Sequence, residues 1–357
     1  MNQGMRMRKG KKRAAAIRRA ALMVMLLPCG ASAANVYGLL DQGMVGGFGT
    51  HIPAADKDIR HNWGSGNGRG MRTNYTSRFG IEAFEDLSPG LKIEARIEGT
   101  IDPNHSFYFD RHAYLGVSGA FGTLRAGRTR DLINGIASRV DPFVNDGLVQ
   151  DKILLAQHAS IGLYRISRSF TYISPNVGGL QFSAQYGLRK TALDTSSLKL
   201  LLTYDVSDWG WHVGIDMPWR DQYADADGNV VYHQGPRARN IVAGAQRKFG
   251  SVKIGAQLMH STRDMNGNGV DPALPRPNAS PWGWIATMRV PVQVGELKFV
   301  LVDSEQVFNK AGTWQPVREI GFGYEYFLSK DSMLYLQIGR EQHTGGGHWH
   351  SGIWKRF

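Results

Sequence analysis

Apolar and polar residues alternate one by one along much of this chain. In the run 91–98, Leu, Ile, Ala and Ile alternate with Lys, Glu, Arg and Glu. The same alternation recurs in the runs 180–186, 252–258 and 320–326. A period of two predicts β-strands with one apolar face and one wet face, and no helical period of similar strength competes with it.

Short turns and long loops separate these strands in a regular order. Seven tight turns, rich in Gly, Asn, Asp, Ser and Pro, lie at 88–90, 120–122, 176–179, 207–210, 249–250, 294–295 and 329–331. Eight longer polar stretches lie near 46–71, 102–108, 129–165, 189–198, 220–239, 262–281, 306–317 and 342–351. Fifteen connections predict sixteen strands, of which the last, 353–357, can pair with the first, 36–40.

Short turns at one end and long loops at the other are typical of an all-β, antiparallel outer-membrane barrel. A bilayer offers no hydrogen bonds to the backbone, so a sheet inside it must close and lose its edges. The alternative is a secreted β-sandwich, which also alternates along each strand. A sandwich does not usually segregate loop length over a whole chain, so the pattern favours the barrel.

Residues 1–33 predict a secretory signal peptide. They hold eight basic residues and no acidic residue, then an apolar run over 20–27 and the small triplet 31–33. We expect cleavage after Ala33 or Ala34, which leaves 34–357 as the barrel domain. Two other interpretations are a basic arm for nucleic acid and a lipoprotein signal at Cys29, where Pro28 is a poor preceding residue.

Removal of this segment changes what the charge and the cysteine count mean. The whole chain carries a net charge of +12 and one cysteine, Cys29. The remainder has 34 basic and 30 acidic residues, a net charge of +4, and no cysteine. We therefore expect no disulfide framework and no nucleic-acid partner.

The barrel segment resembles the trimeric general porins of Gram-negative bacteria, most closely the β-proteobacterial type. The resemblance rests on segments 35–41, 77–82, 85–92, 109–117, 121–128, 172–176, 179–180 and 326–330 and on the terminal Phe357. It implies a homotrimer in the outer membrane, in contact with membrane lipid and lipopolysaccharide. It also implies a water-filled channel for passive diffusion of small hydrophilic solutes and ions, narrowed by an inward-folded third loop at about 129–165.

Charges are expected on both sides of that constriction. The basic wall is predicted to contain Arg78, Arg96, Arg111, Arg125 and Arg128, and the acidic loop Asp131, Asp141, Asp146 and Asp151. Arg96 is the residue most expected to form a structural pair, because Glu94 and Glu98 share its strand face. Opposed charges would set a transverse field that sorts solutes by charge, and the excess of arginine predicts a weak anion preference.

Two departures from the family pattern lie near the pore. The fourth strand reads Arg111-His112 where Arg-Gln is expected, and the strand after it ends in 128–130 with Arg-Thr-Arg where Arg-Gln-Tyr is expected. These departures bear on selectivity and leave the fold expectation unchanged.

No motif for catalysis, a cofactor or a metal rises above the background. The segment 264–269 matches half of a calcium loop, but Pro275 stands where the required acid should be. His343, His348 and His350 are expected on a glycine-rich loop, where they would be solvated. We expect no catalytic residue, no cofactor and no metal site.

Two other functions remain open at this point. One is an outer-membrane barrel enzyme such as a lipid hydrolase, although no Ser/His pair has a defensible spacing. The other is a surface adhesin or receptor that acts through its loops.

Overall fold

Strands make up most of the described chain. The computed structural model describes residues 34–48, 64–65, 69–72, 75–88, 90–101, 107–143, 165–188, 196–219, 222–224, 230–232, 239–262, 282–308, 314–342 and 345–357. The elements are β1 Ala34–Phe48, β2 Gly64–Ser65, β3 Arg69–Arg72, β4 Arg78–Ser88, β5 Leu91–Ile101, β6 Phe107–Gly119, β7 Gly122–Arg130, α1 Leu132–Ala137, β8 Arg165–Ile173, β9 Leu180–Gly187, β10 Ser196–Val206, β11 Trp209–Trp219, β12 Gln222–Ala224, β13 Val230–Tyr232, β14 Arg239–Phe249, β15 Val252–Thr262, β16 Trp282–Val292, β17 Gly295–Phe308, β18 Trp314–Ser329, β19 Ser332–Glu341 and β20 Gly347–Arg356.

Sixteen long strands close into an antiparallel barrel, as predicted. Each long strand pairs with the next long strand along the chain. The ring closes at β1, whose residues 34–39 pair with β4 while residues 39–48 pair with β20. Closure leaves the ring of sixteen long strands without an edge strand, which is the condition for a sheet to sit in lipid.

The predicted tight turns join β4 to β5, β6 to β7, β8 to β9, β10 to β11, β14 to β15, β16 to β17 and β18 to β19. Gly90 and Gly250 adopt positive φ angles of 81° and 61° in two of them, a backbone region that favours glycine. All these turns lie at one end of the barrel, called here the short-turn end.

The two faces of the wall differ in polarity in the way the alternation predicts. On β19, Leu334 and Leu336 are 43% and 41% exposed on the outer face, where lipid would cover them. The neighbouring Tyr335 and Gln337 are 4% and 1% exposed on the inner face. No helix among the described residues is long and apolar enough to cross a membrane.

Two expectations concern residues that the structure does not describe, and a third concerns two histidines that it does describe. The predicted signal peptide, 1–33, and the calcium-like segment, 264–269, lie outside the described residues, so both stay predictions. The expectation for His348 and His350 is wrong, because both lie in β20 with 5% and 3% exposure. Pairing with β19 continues to Gly347, so the strand begins earlier than the polar sequence suggested.

Candidate functional site

The third long loop enters the barrel, as the resemblance implied. Its described part, residues 131–143, is called here the inward loop. Ile133, Ile136, Val140 and Phe143 of this loop are at most 5% exposed. They form one apolar cluster with inward-facing wall residues Leu201, Val242, Met259, Ile285, Val300 and Val302. The wall is apolar at these positions because the loop, and not water, covers it.

Polar contacts fix the start of the inward loop. Asp131 caps α1, its carboxylate accepting hydrogen bonds from the backbone N–H groups of Ile133 at 2.8 Å and Asn134 at 3.0 Å. The same carboxylate lies 3.0 Å from Nζ of Lys199, which also lies 2.5 Å from Asp216. Lys199 is 1% exposed, so this ion-paired network is sealed from water.

Further contacts hold the other end of the inward loop. Thr287 donates a hydrogen bond from Oγ1 to the carbonyl of Val140 at 2.9 Å. Asp141 accepts one from the N–H of Phe143 at 2.8 Å. The Phe143 ring lies against Gly323, where a Cβ would meet it at 2.6 Å. The inward loop therefore lies across the inner face of the wall from β9 to β18.

A second inward segment meets the same wall just before β4. Tyr75 donates from its N–H to Asp41 of β1 at 2.7 Å and from its hydroxyl to Glu325 of β18 at 2.5 Å. Glu325 also lies 2.5 Å from Nζ of Lys298, which lies 5.8 Å from the Phe143 ring centroid. Glu325 and Lys298 thus connect this segment to the far end of the inward loop.

The wall formed by β1 and β4 to β8 carries a network of charges around Glu98. This carboxylate is 2% exposed and lies 2.6 Å from Nε of Arg111 and 2.8 Å from Nη2 of Arg96. The Tyr37 hydroxyl donates to it at 2.8 Å. The expected Arg96–Glu98 pair is present, and Glu98 serves two guanidiniums at once.

Two more predicted wall residues also face the lumen. Arg125 places Nε 2.5 Å from Glu94. Arg78 pairs with Leu39 and Thr100, which are 5% and 4% exposed, and donates to the carbonyl of Thr76 at 3.3 Å. Directly opposed residues share a sheet face, so Arg78 lies on the inner face.

Arg128 corrects the predicted wall. It pairs with Ala113, which is two residues from the 64% exposed Leu115 and so shares the outer face of β6 with it. Its chain neighbour Thr129 is buried inside. Register therefore gives Arg128 the opposite face from Arg125. Its guanidinium donates to the carbonyl of Asp110 at 2.6 Å and to Ser167 Oγ at 2.5 Å.

The structure describes two of the four residues that were predicted for the acidic side of the constriction. Asp131 and Asp141 are 6% and 2% exposed, and both carboxylates bind the loop's own backbone. The two therefore hold the inward loop in place and present little charge to water. Asp146 and Asp151 lie outside the described residues, so their role stays a prediction.

Sequence reasoning missed three residues of this region. Arg165 begins β8, where Arg111, Arg128 and Arg130 act on it electrostatically. It stood at the end of the predicted loop and gave no strand signal. Lys199 had a signal, since it is the only charged residue among the leucines of 198–202. Tyr75 had none, because its segment lies outside any alternating run.

The described residues contain no group of three or more His, Cys, Asp or Glu side chains placed to hold a metal ion. The charged side chains of the wall instead pair with one another across strands. Such an arrangement can orient and sort ions in water.

A closed barrel with an apolar outer face, a charged inner wall and an inward loop defines the class of outer-membrane diffusion channels. The sequence profile described as Gram-negative porin matches residues 20–346. The chain belongs to the Gram-negative porin family and sits in the outer membrane as a multi-pass barrel. Proteins of this family form channels.

Individual relatives agree with this assignment. Outer membrane porin protein 32 of Delftia acidovorans is 26% identical over 85% of this chain and 82% of its own length. The solved anion-selective porin from Comamonas acidovorans has a TM-score of 0.69 at 20% identity, with 91% of this chain and 99% of that chain covered. Salmonella typhi OmpF, solved with daunomycin, gives 0.60 at 16% identity, covering 92% and 98%.

Proposed function

We propose that this porin is a passive channel with a weak preference for anions. The carrying observation is the division of its interior. The inward loop covers the wall from β9 to β18, and the segment at Tyr75 contacts β18, β19 and β1, so the described wall that these two segments leave uncovered runs from β4 to β8. Arg78, Arg96, Arg111 and Arg125 lie on that side, with Glu82, Glu94 and Glu98 among them.

The electrostatic reason is a small excess of cations on this face. The five cations Arg78, Lys92, Arg96, Arg111 and Arg125 stand against the four carboxylates Glu82, Asp86, Glu94 and Glu98, so the wall keeps a positive charge. A positive lumen raises the local concentration of anions without binding them tightly, and a conducting pore must release what it admits. The related channel of Comamonas acidovorans is described as anion-selective, which supports the same direction.

The proposal extends to partners and processing. Residues 1–33 act as a signal peptide, cleaved after Ala33 or Ala34. The mature chain forms a homotrimer, contacts lipopolysaccharide, passes small hydrophilic solutes and has no catalytic activity of its own. Asp146 and Asp151 would supply the acidic side of the constriction.

Reversal potentials across a planar bilayer in a salt gradient test the selectivity. Wild-type channels should favour chloride over potassium. Arg125→Glu should shift the reversal potential toward cations, because it reverses one wall charge and leaves Glu94 unpaired. A clear cation preference of the wild-type protein would refute the proposal, and an unchanged value for Arg125→Glu would remove that residue from the selective region.

A further inference from the structure

Four cations stand side by side across neighbouring strands, on the side of the barrel opposite the arginine wall. Lys248 of β14 is directly opposite Lys253 of β15. Lys253 is directly opposite Arg289 of β16, which is directly opposite Lys298 of β17. These four residues are called here the cross-strand row.

The cross-strand row faces the lumen. Lys298 is 2% exposed and lies under the Phe143 ring of the inward loop, 5.8 Å from its centroid. Opposed residues of an antiparallel sheet share a face, so the other three point inward with it. Alternation agrees, because Ile285 and Gln257, which lie in phase with Arg289 and Lys253, are 0% and 1% exposed.

The cross-strand row lies on the side of the inward loop that is nearer the short turns. Val140 of the loop contacts Gly255 and Thr287, one row farther from the short turns. The cross-strand row lies two residues closer to those turns, on the underside of the loop. In outer-membrane barrels the short turns face the periplasm, so the row lines the periplasmic mouth.

The charges of the cross-strand row are only partly balanced. Arg289 pairs with Glu296 at 2.7 Å, and Lys298 pairs with Glu325 at 2.5 Å. Across the described ranges, no carboxylate lies within ion-pair distance of Lys248 or Lys253.

The loop adds a fifth cation beside the row. Arg139 pairs with Asp205, and both act electrostatically on Lys253. The other groups that act on Lys253 are Arg289 and Lys248, both positive. Five cations thus stand against the three carboxylates Asp205, Glu296 and Glu325, with the excess located at Lys248 and Lys253.

Like charges directly opposite each other on a sheet are destabilising, and an anion between them removes that cost. Neighbouring strands lie roughly 4.8 Å apart, so the oxygens of one tetrahedral anion can reach two adjacent cations. We propose that Lys248 and Lys253, with Arg289 beside them, form a binding site for small oxyanions that carry two or more negative charges. The site extends the proposed anion preference, on which it rests, to a solute class held at the periplasmic mouth.

Sulfate is the probe, because it stays doubly charged over the whole working range of pH. Single channels of the full-length mature protein are recorded in potassium chloride, with sulfate added to one side at a time. In the wild type, sulfate on the short-turn side should reduce the current in a saturable manner. Lys253→Gln should weaken the apparent sulfate affinity on the order of threefold, and Lys248→Gln with Lys253→Gln on the order of tenfold.

Lys92→Gln is the matched control. Lys92, like Lys253, is the second residue of a strand that follows a short turn. Its cross-strand partners are Asp86 and Ser118, so it has no cationic neighbour across either strand. Its sulfate affinity should equal that of the wild type. Absence of a sulfate effect in the wild type, an unchanged affinity in Lys253→Gln, or an equal loss in Lys92→Gln would each overturn the site.

The reversal potential of the same channels, taken before sulfate is added, reports the chloride preference separately. A cation-preferring wild type that still shows saturable sulfate block, lost in Lys253→Gln, would refute the anion preference and retain the site. Formation of chloride-conducting channels by each variant shows that the barrel has folded.

Discussion

Lys199 of β10 reaches Asp131 at the start of the inward loop, with 3.0 Å between Nζ and Oδ2. Asp216 of β11 completes the contact from the neighbouring strand, 2.5 Å from the same nitrogen. One buried lysine therefore binds the loop to two adjacent strands of the wall.

Lys199→Met should loosen the inward loop, because it leaves Asp131 and Asp216 buried without their cation. Removing one partner of a buried pair costs about 3–5 kcal/mol. We expect a lower free energy of unfolding in denaturant and larger fluctuations of single-channel current. In the triple variant with Asp131→Asn and Asp216→Asn, neutral amides should restore part of the stability. If the single-channel current of Lys199→Met fluctuates no more than that of the wild type, other contacts alone hold the loop.

Phe143→Ala should free the far end of the inward loop. The ring is 0% exposed and lies against Gly323, and loss of a core phenylalanine costs about 3–5 kcal/mol. We expect higher conductance and faster entry of larger sugars in liposome swelling. Phe121→Ala, at a 44% exposed position in a short turn, is the control and should swell at the wild-type rate. Equal rates for the two variants would contradict the role of Phe143.

Glu98→Gln should raise the anion preference while weakening the wall. The change removes one lumen carboxylate that holds Arg96 and Arg111, so the net positive charge of the wall rises. Loss of a buried partner should lower the free energy of unfolding by on the order of 3 kcal/mol. Reversal potential and denaturant unfolding measure the two effects. Glu85→Gln, on an exposed site, should change neither, and a cation shift in Glu98→Gln would count against the electrostatic account.

Leu336→Arg should destabilise the barrel in lipid vesicles. Its side chain is 41% exposed on the outer face near the middle of β19. Arginine on the lipid face costs about 2–4 kcal/mol at the bilayer midplane and about 0–1 kcal/mol near the interface. Leu328→Arg, beside the short turn, is the matched control and should cost little. Equal losses for both variants would place the membrane elsewhere on the barrel.

The sequence predicts the barrel well because alternation and loop length are local signals. Each run of period two gives a strand, and each glycine-containing turn marks its end. The Arg96–Glu98 pair was also predictable, since both residues lie on one strand face. The closure of β1 on β20 followed from strand count alone.

The details of the site depend on contacts between distant parts of the chain. Asp131 binds Lys199, which lies 68 positions later in the chain. The path of the loop across the barrel decides this pairing. Arg128 comes three residues after Arg125 and therefore lies on the opposite face of the strand. The charge composition does not reveal this difference. The pairing of His348 and His350 with β19 likewise overrides a glycine-rich segment that looks like loop.

The uneven interior has a consequence for how ions travel. Residues 131–143 are packed against the wall from β9 to β18. The axis of permeation at that level therefore differs from the geometric axis of the barrel. An ion entering near the centre must move sideways, toward Tyr37, Glu98 and the arginines around them, and then back. Its route is eccentric, so charges at equal depth in the membrane act on it with very unequal strength.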